Sequence, residues 1–458
     1  MLSSISPIDG RYRKTTEPLA EFFSESALMK YRLVVEGEYL IALSEAKIIR
    51  KLSEKEKSLI RSLYDLPEKD AQIISDIETK GYKNIKATDH DVKAVEYFIK
   101  EKLGDSSLKD ILEYTHFALT SYDTNTPARA MMLSDALEQT LIPAISSIVA
   151  TIGLLSKKYA KLPMLSRTHG QSASPTTFGK EFNVFHQRLQ IQLSELKTKK
   201  LSVKFSGATG NFSAHMAAHP KINWIKFSKD FIKILSRKRL IALEPNLIAT
   251  QIDPHDSEAA IFDNLRRINT ILIGLNQDVW RYISDDWIIQ KPAEGTIGSS
   301  TMPHKINPIK FENSEGNLGM ANALFEFFSR KLPISRLQRD LSDSTVERNF
   351  GSAFGYCLIA YTYLLKGLSR ITINEPKVKE ALNSHPEVVA EAIQTILRRE
   401  GVKMPYEQLK ELTRGKQISL ADIHSFIDGL DVSPKVKMEL KAFTPENYIG
   451  LASKLANL

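Results

Sequence analysis

The sequence predicts a mainly α-helical fold with a central bundle of long helices. Three stretches carry apolar residues at steps of three and four positions, and they cover residues 141–155, 182–196 and 261–282. A sustained spacing near 3.5 residues indicates long helices that pack at shallow angles. Strand-like alternation is sparse, and a chain of 458 residues is long enough for two or three domains.

Proline and glycine set the expected boundaries of the helices. The sequence NTP at 125–127 has the pattern of a helix cap followed by proline at the first helical position, so a helix is predicted from Pro127 to about residue 160. Pro163 closes this helix, and Pro143 could kink it.

Beyond residue 366 the predicted helices become shorter, with breaks at Pro376, Pro386, Pro405 and Gly415. We therefore expect three domains. They are an N-terminal helical domain (1–111), a central long-helix bundle domain (112–366) and a C-terminal helical domain (367–458).

Composition indicates a soluble protein of a reducing compartment. Hydrophobic residues make up 42% and charged residues 25%, which is ordinary for a globular chain. The single cysteine, Cys357, lies in the apolar run FGYCLIAY, so no intrachain disulfide is expected and a cytoplasmic location fits. The start, MLSSISPIDGRY, lacks the basic and apolar parts of a signal peptide. The apolar stretch 141–156 is short for a membrane span, so we interpret it as a core helix.

The chain is basic, with a formal net charge of +8. This excess indicates either nucleic-acid binding or a site that attracts a small polyanion. Apart from SRKRL at 236–240, the sequence lacks a dense basic run with interleaved aromatic residues. Nucleic acid is therefore the less favoured partner, and a solvated surface accounts for most of the excess.

Four polar segments interrupt the helical pattern, and each has an ordinary structural explanation. They are DGRY at 9–12, TDHD at 88–91 with THFALTS at 115–121, SRTHGQ at 166–171, and GSSTMPHKINP at 298–308. His169 in SRTHGQ is either a loop histidine that satisfies backbone groups or a general acid, because imidazole titrates near neutrality, at about 6.5.

Two further chemical patterns are weak. His215 and His219 in HMAAH lie four residues apart and could bind zinc from one helix face, but the catalytic glutamate and a third ligand are missing. Capping or surface roles are favoured for this pair, and no metal is expected. Ser299 lacks a G-x-S-x-G elbow, which argues against an acyl-transfer triad.

Taken together, the segments are far more specific. THGQ and GSSTMPHKINP, with TS at 120–121, resemble the signature regions of the fumarase/aspartase superfamily. SPIDGRY, HDVKAVEYF, LLKGL, SRLQRDLSDSTVERN and PYEQLKELTRGK most closely resemble its bacterial branch that acts on N-succinyl purine nucleotides. The likeness runs from about residue 6 to 451. The histidine in MPHK argues against fumarase and aspartase, which resemble MPGK there, and against argininosuccinate lyase.

The resemblance implies a three-domain helical fold and a cofactor-free β-elimination. A base removes a weakly acidic proton beside a carboxylate, and fumarate leaves a nitrogen that an acid protonates. By motif matching the base is Ser299, although spacing alone does not separate it from Ser300. The acid is His169. A serine hydroxyl needs its alkoxide stabilised, which backbone N–H groups and Lys305 would do. Gly295 and Gly298 would let the loop close as a lid.

The resemblance also implies the substrate-binding residues. The succinyl carboxylates would be held by Ser300, Lys305 and Asn307. The phosphate and neighbouring polar atoms would be held by Arg11, Tyr12, Arg339 and Ser344, since arginine offers paired donors. The remaining residues of the site are Asp89, His90, Asp91, Thr120, Ser121 and Gln251. The cationic residues of the site would also account for part of the net charge of +8.

Some positions depart from the superfamily pattern. Asp89 stands where asparagine is common, and TSYDTNT at 120–126 replaces the more usual TSEDINN. An extra acid at Asp89 is unfavourable beside an anionic substrate, which leaves the contacts of that segment open. The stretch 234–250, ILSRKRLIALEPNLIAT, is longer than expected, and we interpret it as a surface insertion.

The predicted helix from Pro127 constrains assembly. Roughly 34 helical residues span about 50 Å if straight, and they separate Thr120 and Ser121 from His169. Either the helix breaks sharply at Pro143, or the site is built from residues of different subunits. The sustained apolar faces of the long helices favour the second, because helices of different subunits could pack through them. The resemblance implies a homotetramer with sites built from three chains. Two alternatives remain: another fumarate-releasing lyase, such as argininosuccinate lyase, and a non-catalytic helical protein that binds nucleic acid.

Overall fold

The computed structural model describes residues 2–291, 302, 305–414 and 418–458. Within these residues the chain is mainly helical, as the periodicity predicted, and its strands form small two-stranded sheets.

The helices of the N-terminal half include one long continuous run. They are α1 Arg13–Thr16, α2 Ala20–Phe23, α3 Glu25–Glu45, α4 Glu54–Ser62, α5 Glu68–Thr79, α6 Asp91–Leu103, α7 Ser121–Ala136, α8 Ile142–Lys158, α9 Phe178–Thr198, α10 Ser213–Ala218 and α11 Trp224–Leu235. Short 3-10 turns lie at Glu17–Leu19 and Lys109–Tyr114, and a π-helical turn lies at Leu137–Leu141.

Long helices continue into the C-terminal half and are followed by shorter ones, as predicted. They are α12 Asp256–Ser284, α13 Ile309–Lys331, α14 Ser342–Glu347, α15 Phe350–Leu368, α16 Glu375–Asn383, α17 Ala390–Arg399, α18 Pro405–Thr413, α19 Leu420–Asp428, α20 Pro434–Lys441 and α21 Ala452–Leu455. A 3-10 turn at Pro386–Val389 precedes α17.

The strands of the described residues form three two-stranded sheets. They are β1 Pro163–Thr168, β2 Gln171–Thr177, β3 Lys200–Lys204, β4 Ala242–Asn246, β5 Ile288–Gln290 and β6 Ile371–Ile373. β1 and β2 form an antiparallel hairpin, β3 and β4 are parallel, and β5 and β6 are antiparallel.

The seams of apolar residues are buried as the spacing predicted. On α12 the side chains of Ile261, Leu265, Ile268 and Leu272 have no exposed area, and Leu275 and Val279 are 1% exposed. Burying a side chain of this size contributes about 1.5–3 kcal/mol. The long helices are therefore held by their packing faces.

The start of α7 corrects one prediction. The helix begins at Ser121, and Pro127 lies inside it, so the cap predicted at 125–127 is wrong. The carboxylate of Asp123 accepts a hydrogen bond from the backbone N–H of Thr120 at 2.9 Å, which closes the helix at this earlier point. This capping and the burial of almost every residue up to Ser134 outweigh the roughly 3 kcal/mol cost of an internal proline.

The helix also continues through Pro143. Helical structure runs without interruption from Ser121 to Lys158, and the π-helical turn Leu137–Leu141 directly precedes the proline. A wider turn accommodates a residue that lacks a backbone donor. This helix is long and apolar enough to cross a membrane, but half of its most apolar window is buried within the protein, as in a core helix.

The described chain divides into two compact units. The first comprises Met1–Ile145, Gln192–Thr270 and Gly316–Thr362, and the second Ser146–Ile191, Ile271–Glu315 and Tyr363–Leu458. The three-domain division near residues 111 and 366 stays a prediction.

The stretch 234–250 is not simply a surface insertion, so that interpretation is wrong for its middle part. β4 pairs along its whole length with β3 in the first unit, and Ile241 and Leu243 are buried. The hydroxyl of Ser134 on α7 donates to the carbonyl oxygen of Ile241 at 2.8 Å. The middle of this stretch therefore contributes a strand to the core of the first unit.

Candidate active site

His169 lies at the tip of the β1–β2 hairpin in the second unit. Thr168 pairs with Gln171, so His169 and Gly170 form a two-residue loop, with φ angles of 52° and 76°. Two consecutive residues with positive φ are characteristic of the type I′ turn, which matches the twist of a hairpin. The side chain of His169 is exposed, so solvent reaches the imidazole freely.

A cation holds the hairpin close to its tip. Arg167 on β1 forms an ion pair with Asp285, and its guanidinium lies 4.5 Å from the ring centroid of Trp287. These contacts fix the strand two residues before His169. The hairpin tip itself is open: among the described residues other than the two neighbours of Gly170, no atom lies within 4 Å of the position that a Cβ on Gly170 would occupy.

The polar loop is described only at its C-terminal end. Lys305 is exposed, and its backbone N–H donates to the carbonyl oxygen of Met302 at 3.1 Å. Gln290 donates to the carbonyl oxygen of Ile306 at 3.0 Å, which ties this segment to β5, and Asn307 precedes the start of α13. The predicted residues Ser299 and Ser300, and the predicted hinge glycines Gly295 and Gly298, lie outside the described residues.

In the first unit, His90 and Ser121 are brought together. His90 caps α6, and its Nδ1 accepts a hydrogen bond from the backbone N–H of Lys93 at 3.2 Å. The proton of the neutral ring is therefore on Nε2, which lies 3.3 Å from Ser121 Oγ. Thr120, the residue before Ser121, is the N-cap of α7.

The backbone conformation at position 89 suits an aspartate. Its φ is 48°, in the left-handed region, and its side chain is exposed. Asparagine and aspartate tolerate this conformation better than most residues do. The aspartate therefore keeps the backbone geometry that asparagine would have there.

Asp91 is engaged by two arginines. Its carboxylate accepts from Arg32 at 2.6 Å and from Arg348 at 3.3 Å. Burial alone would raise the pKa of Asp91, but these two positive charges lower it to about 2. Arg348 also donates to Ser344 Oγ at 3.1 Å, so it links two predicted site residues.

Arg339 and Gln251 are also in contact. Nη1 of Arg339 donates to Oε1 of Gln251 at 3.1 Å, and the guanidinium lies 4.0 Å from the ring centroid of Tyr122. Among the residues that the structure describes, no carboxylate lies within ion-pair distance of Arg339. Its positive charge is therefore available for an anion.

The DGRY segment contributes Arg11 and Tyr12. Arg11 is exposed and Tyr12 is half-buried at the start of α1. A cavity beside this segment is lined by Ile8, Asp9, Arg13, Thr16, Leu19, Ala20, Phe23, Ser24, Arg348, Gly351 and Ser352. The segment thus lies close to Arg348 within the first unit.

A buried network of ionisable groups lies next to these residues in the first unit. Its members, called the buried network below, are Tyr122, Arg129, His255, Glu258, Asp343 and Glu347. Arg129 lies 2.9 Å from Glu347, and His255 forms an ion pair with Glu258. Burial alone would lower the pKa of His255, but Glu258 and Asp343 raise it well above its ordinary value.

The spacing of His255, Glu258 and Glu347 would allow a metal ion, since a ligand atom of each lies within 4.8 Å of the others. Arg129 already pairs with Glu347 at 2.9 Å, and His255 pairs with Glu258. The cluster therefore fits an ion-pair network better than a cation site.

The other histidine pair does not fit a metal site either. His215 is buried and its ring lies 4.7 Å from that of Trp224. Burial lowers the pKa of His215 to about 4, so it is a neutral core residue, and a surface role is wrong for it. His219 occupies the C-cap of α10, as a capping role predicted.

Tyr122 and Arg348 contact predicted site residues but were not themselves predicted from the sequence. Arg348 follows Ser344 by one helical turn, so the i, i+4 spacing was a usable signal. The contacts of Tyr122 join positions more than 200 residues apart in sequence, and no local pattern indicates them.

Comparison with solved structures identifies the fold. A fumarate lyase from Mesorhizobium sp. BNC1 has a TM-score of 0.73 at 18% identity, over 96% of both chains. A 3-carboxy-cis,cis-muconate lactonizing enzyme from Pseudomonas putida has a TM-score of 0.72 at 19% identity, over 96% of this chain and 95% of that one. The Lyase family model matches residues 10–322, and the adenylosuccinate lyase C-terminal model matches 335–449. Together with the signature segments, these findings define a lyase of the fumarase/aspartase superfamily.

Relatives specify the family. Adenylosuccinate lyase of Dictyostelium discoideum is 47% identical over 98% of this chain and 97% of its own. The enzymes of Haemophilus influenzae and Escherichia coli are 45% and 44% identical, over 99% and 98% of this chain and 98% and 97% of their own. The chain belongs to the adenylosuccinate lyase family and is a carbon–nitrogen lyase.

Proposed function

We propose that the chain cleaves adenylosuccinate to AMP and fumarate, and that the same site converts succinyl-aminoimidazole-carboxamide ribotide (SAICAR) to AICAR in purine biosynthesis. The observation that carries this proposal is the full-length likeness to enzymes named adenylosuccinate lyase. Both substrates are polyanions with one phosphate and two carboxylates. Arg339, which has no carboxylate partner among the described residues, supports this choice over fumarase chemistry, which involves no phosphate.

The proposed elimination begins with removal of a proton beside a carboxylate. Ser299 acts as the base, and Ser300, Lys305 and Asn307 hold the succinyl carboxylates. The exposed ammonium of Lys305 supports this role, because the intermediate carries extra negative charge that a cation stabilises. The carbon–nitrogen bond then breaks, and fumarate forms without a cofactor.

His169 protonates the departing nitrogen. Its exposed place at the hairpin tip supports the role, since an acid must recover its proton from solvent in each turnover. His90 orients the substrate together with Thr120 and Ser121. The fixed Nε2 proton of His90 gives it a defined hydrogen-bond donor.

The phosphate binds through Arg11, Tyr12, Arg339 and Ser344, and Gln251 completes this side. The contact of Arg339 with Gln251 and the contact of Arg348 with Ser344 support this grouping. Asp89 keeps its turn rather than contacting an anion. Asp91 acts through Arg348, because its carboxylate is already ion-paired.

We further propose a cytoplasmic homotetramer whose sites draw on several subunits. The unbroken helix from Ser121 to Lys158 supports this assembly, because the alternative required a break at Pro143. Exposed apolar side chains on long helices, such as Leu154, Ile191 and Met320, give the assembly a surface to bury. We expect no nucleic-acid or membrane partner.

Mixing two inactive variants tests the shared sites. His169→Ala and Ser299→Ala, each inactive alone, should regain partial activity after subunit exchange, because some reassembled sites receive neither substitution. Exchange is verified by mass spectrometry of differently tagged chains. Proven exchange with no recovery would contradict the assembly while leaving the reaction unaffected.

Absorbance-monitored cleavage of adenylosuccinate by the wild-type protein tests the reaction. We expect AMP and fumarate from adenylosuccinate, AICAR and fumarate from SAICAR, and no turnover of argininosuccinate or malate. Turnover of argininosuccinate alone would move the chain to another fumarate-releasing lyase. Strong, salt-sensitive RNA binding without any turnover would favour the non-catalytic alternative.

A further inference from the structure

We propose that Tyr122 is a positioning residue that fixes the guanidinium of Arg339 for the phosphate of the substrate. This inference rests on the proposed function and adds a residue to which no role in the site was assigned. It concerns how the phosphate side is built.

The contact between the two side chains is direct. The guanidinium of Arg339 lies 4.0 Å from the ring centroid of Tyr122, and Tyr122 is 1% exposed. An aromatic face attracts a guanidinium without neutralising its charge, whereas a carboxylate in the same place would form an ion pair. The ring therefore holds Arg339 and leaves its charge available to an anion.

The donors of Arg339 are only partly used. Nη1 donates to Gln251 at 3.1 Å, while the buried Nε has no hydrogen-bond partner among the described residues. The residue as a whole is only half-buried, so a ligand approaches the guanidinium from its open side rather than through Nε. A guanidinium has five N–H donors, and a phosphate can accept from two of its nitrogens at once.

The ring of Tyr122 is itself held by the buried network. Its hydroxyl donates to Oε2 of Glu347 at 3.3 Å, and Arg129 lies 2.9 Å from the same oxygen. Burial raises the pKa of Tyr122 well above its ordinary value, so the hydroxyl stays protonated and remains a donor.

The other members of the buried network connect Tyr122 with the segments that carry the proposed phosphate-binding residues. Glu347 and Asp343 lie on α14, the helix that also carries Ser344. His255 bonds Glu258 near the start of α12, and its Nε2 lies 3.8 Å from Asp343. Four residues before His255, the chain carries Gln251. The network thus joins the segments that present Arg339, Ser344 and Gln251.

Tyr122→Leu in the full-length protein tests the inference. We expect AMP binding, measured by calorimetry, to weaken about tenfold, because the aromatic support of Arg339 is lost. The inhibition constant of fumarate, which has carboxylates but no phosphate, should stay within about twofold. KM for adenylosuccinate should rise while kcat changes less than about threefold. Equal losses for AMP and fumarate, or no loss for AMP, would overturn the inference.

Two companion variants separate the ring from the hydroxyl and from packing. Tyr122→Phe keeps the ring and should bind AMP within about threefold of wild type. Tyr361→Leu removes another buried tyrosine, which donates to Asn269 at 2.6 Å, and should leave AMP binding unchanged even if Tm falls. A loss of AMP binding in Tyr361→Leu equal to that in Tyr122→Leu would show a general structural effect and overturn the inference.

A double-mutant cycle completes the test. Arg339→Gln should weaken AMP binding at least as much as Tyr122→Leu, and combining the two should add little further loss. Additive losses would overturn the inference. If Tyr122→Leu does not fold, Tyr122→Met replaces it in the cycle. Cleavage of adenylosuccinate by the wild-type protein is measured before the variants are compared. A wild-type protein that does not cleave it would contradict the proposed function rather than this inference.

Discussion

The hairpin that carries His169 and the region that carries Arg339 are built in opposite ways. His169 is exposed on a two-residue loop, and the hairpin is held two residues before it by the ion pair of Arg167 with Asp285. Arg339 rests on a buried tyrosine, behind which lie several buried ion pairs. A proton-transfer group needs access to solvent, whereas an anion-binding group benefits from being held in place before the ligand arrives. The contrast is consistent with the proposed division, in which the first region carries out proton transfer and the second binds the phosphate.

The largest effect is expected at the hairpin tip. His169→Ala should lower kcat about 10²–10⁴-fold, because a general acid contributes on that scale. Tm should change little, since the side chain is exposed. Fumarate formation and thermal melting measure the two effects. Ser172→Ala on the same hairpin is the matched control, and a His169→Ala variant with a tenth of wild-type kcat would remove the acid role.

The adjacent serines give an effect of similar size. Ser299→Ala should lower kcat by about 10² or more, and Ser300→Ala should chiefly raise KM, because only the first is expected to take the proton. Steady-state kinetics on both variants decide the matter. Loss of kcat in Ser300→Ala alone would reassign the base.

The buried region should respond in stability. Asp123 and Lys204 form a buried ion pair at 2.8 Å beneath the start of α7, and Asp123 also accepts from the backbone of Ser206. Asp123→Ala would leave Lys204 buried and unpaired, which costs about 3–5 kcal/mol. Chemical denaturation measures the loss.

An exposed ion pair provides the control for that experiment. Lys226 and Asp230 are paired on the surface of α11, and Asp230→Ala should change stability by less than about 1 kcal/mol. Similar losses for Asp123→Ala and Asp230→Ala would mean that burial does not distinguish the two pairs.

Long-range contacts explain what the sequence could and could not predict. The long helices followed from apolar spacing, because local periodicity determines which face is buried. The signature segments identified the family through a resemblance. The start of α7 was predicted wrongly because Pro127 is a strong signal for a first helical position. The hydrogen bond that the backbone N–H of Thr120 donates to the carboxylate of Asp123 sets the start earlier. The pairing of β4 with β3 and the stacking of Tyr122 on Arg339 depend on tertiary packing, which no local pattern encodes.

Acid should affect the first unit through the ion pairs of Asp91. Its pKa in the folded protein is lowered to about 2, against about 3.9 when unfolded. A carboxylate with a lowered pKa contributes stability above the unfolded value, and that stability is lost as pH falls from about 4 to 2. The contribution is about 2 kcal/mol. Asp91→Asn should therefore be less stable than wild type at pH 6, and the difference should shrink below pH 3. An equal difference at both pH values would contradict the ion pairs with Arg32 and Arg348.

The smallest effect tests whether the hairpin's shape matters as much as its histidine. Gly170 has a φ of 76°, and a Cβ there would meet no atom within 4 Å from the described residues beyond its two neighbours, so Gly170→Ala adds backbone strain without a clash among them. That strain costs about 1 kcal/mol. Because the hairpin tip has few other contacts, the strain should fall on the loop that presents His169, and kcat should drop about fivefold while Tm falls only slightly. Gly401→Ala, at another open position with φ of 77°, controls for strain away from the hairpin and should leave kcat unchanged. Unchanged kcat in Gly170→Ala would mean that the exposed histidine needs no particular turn, and the two regions would then differ in burial alone.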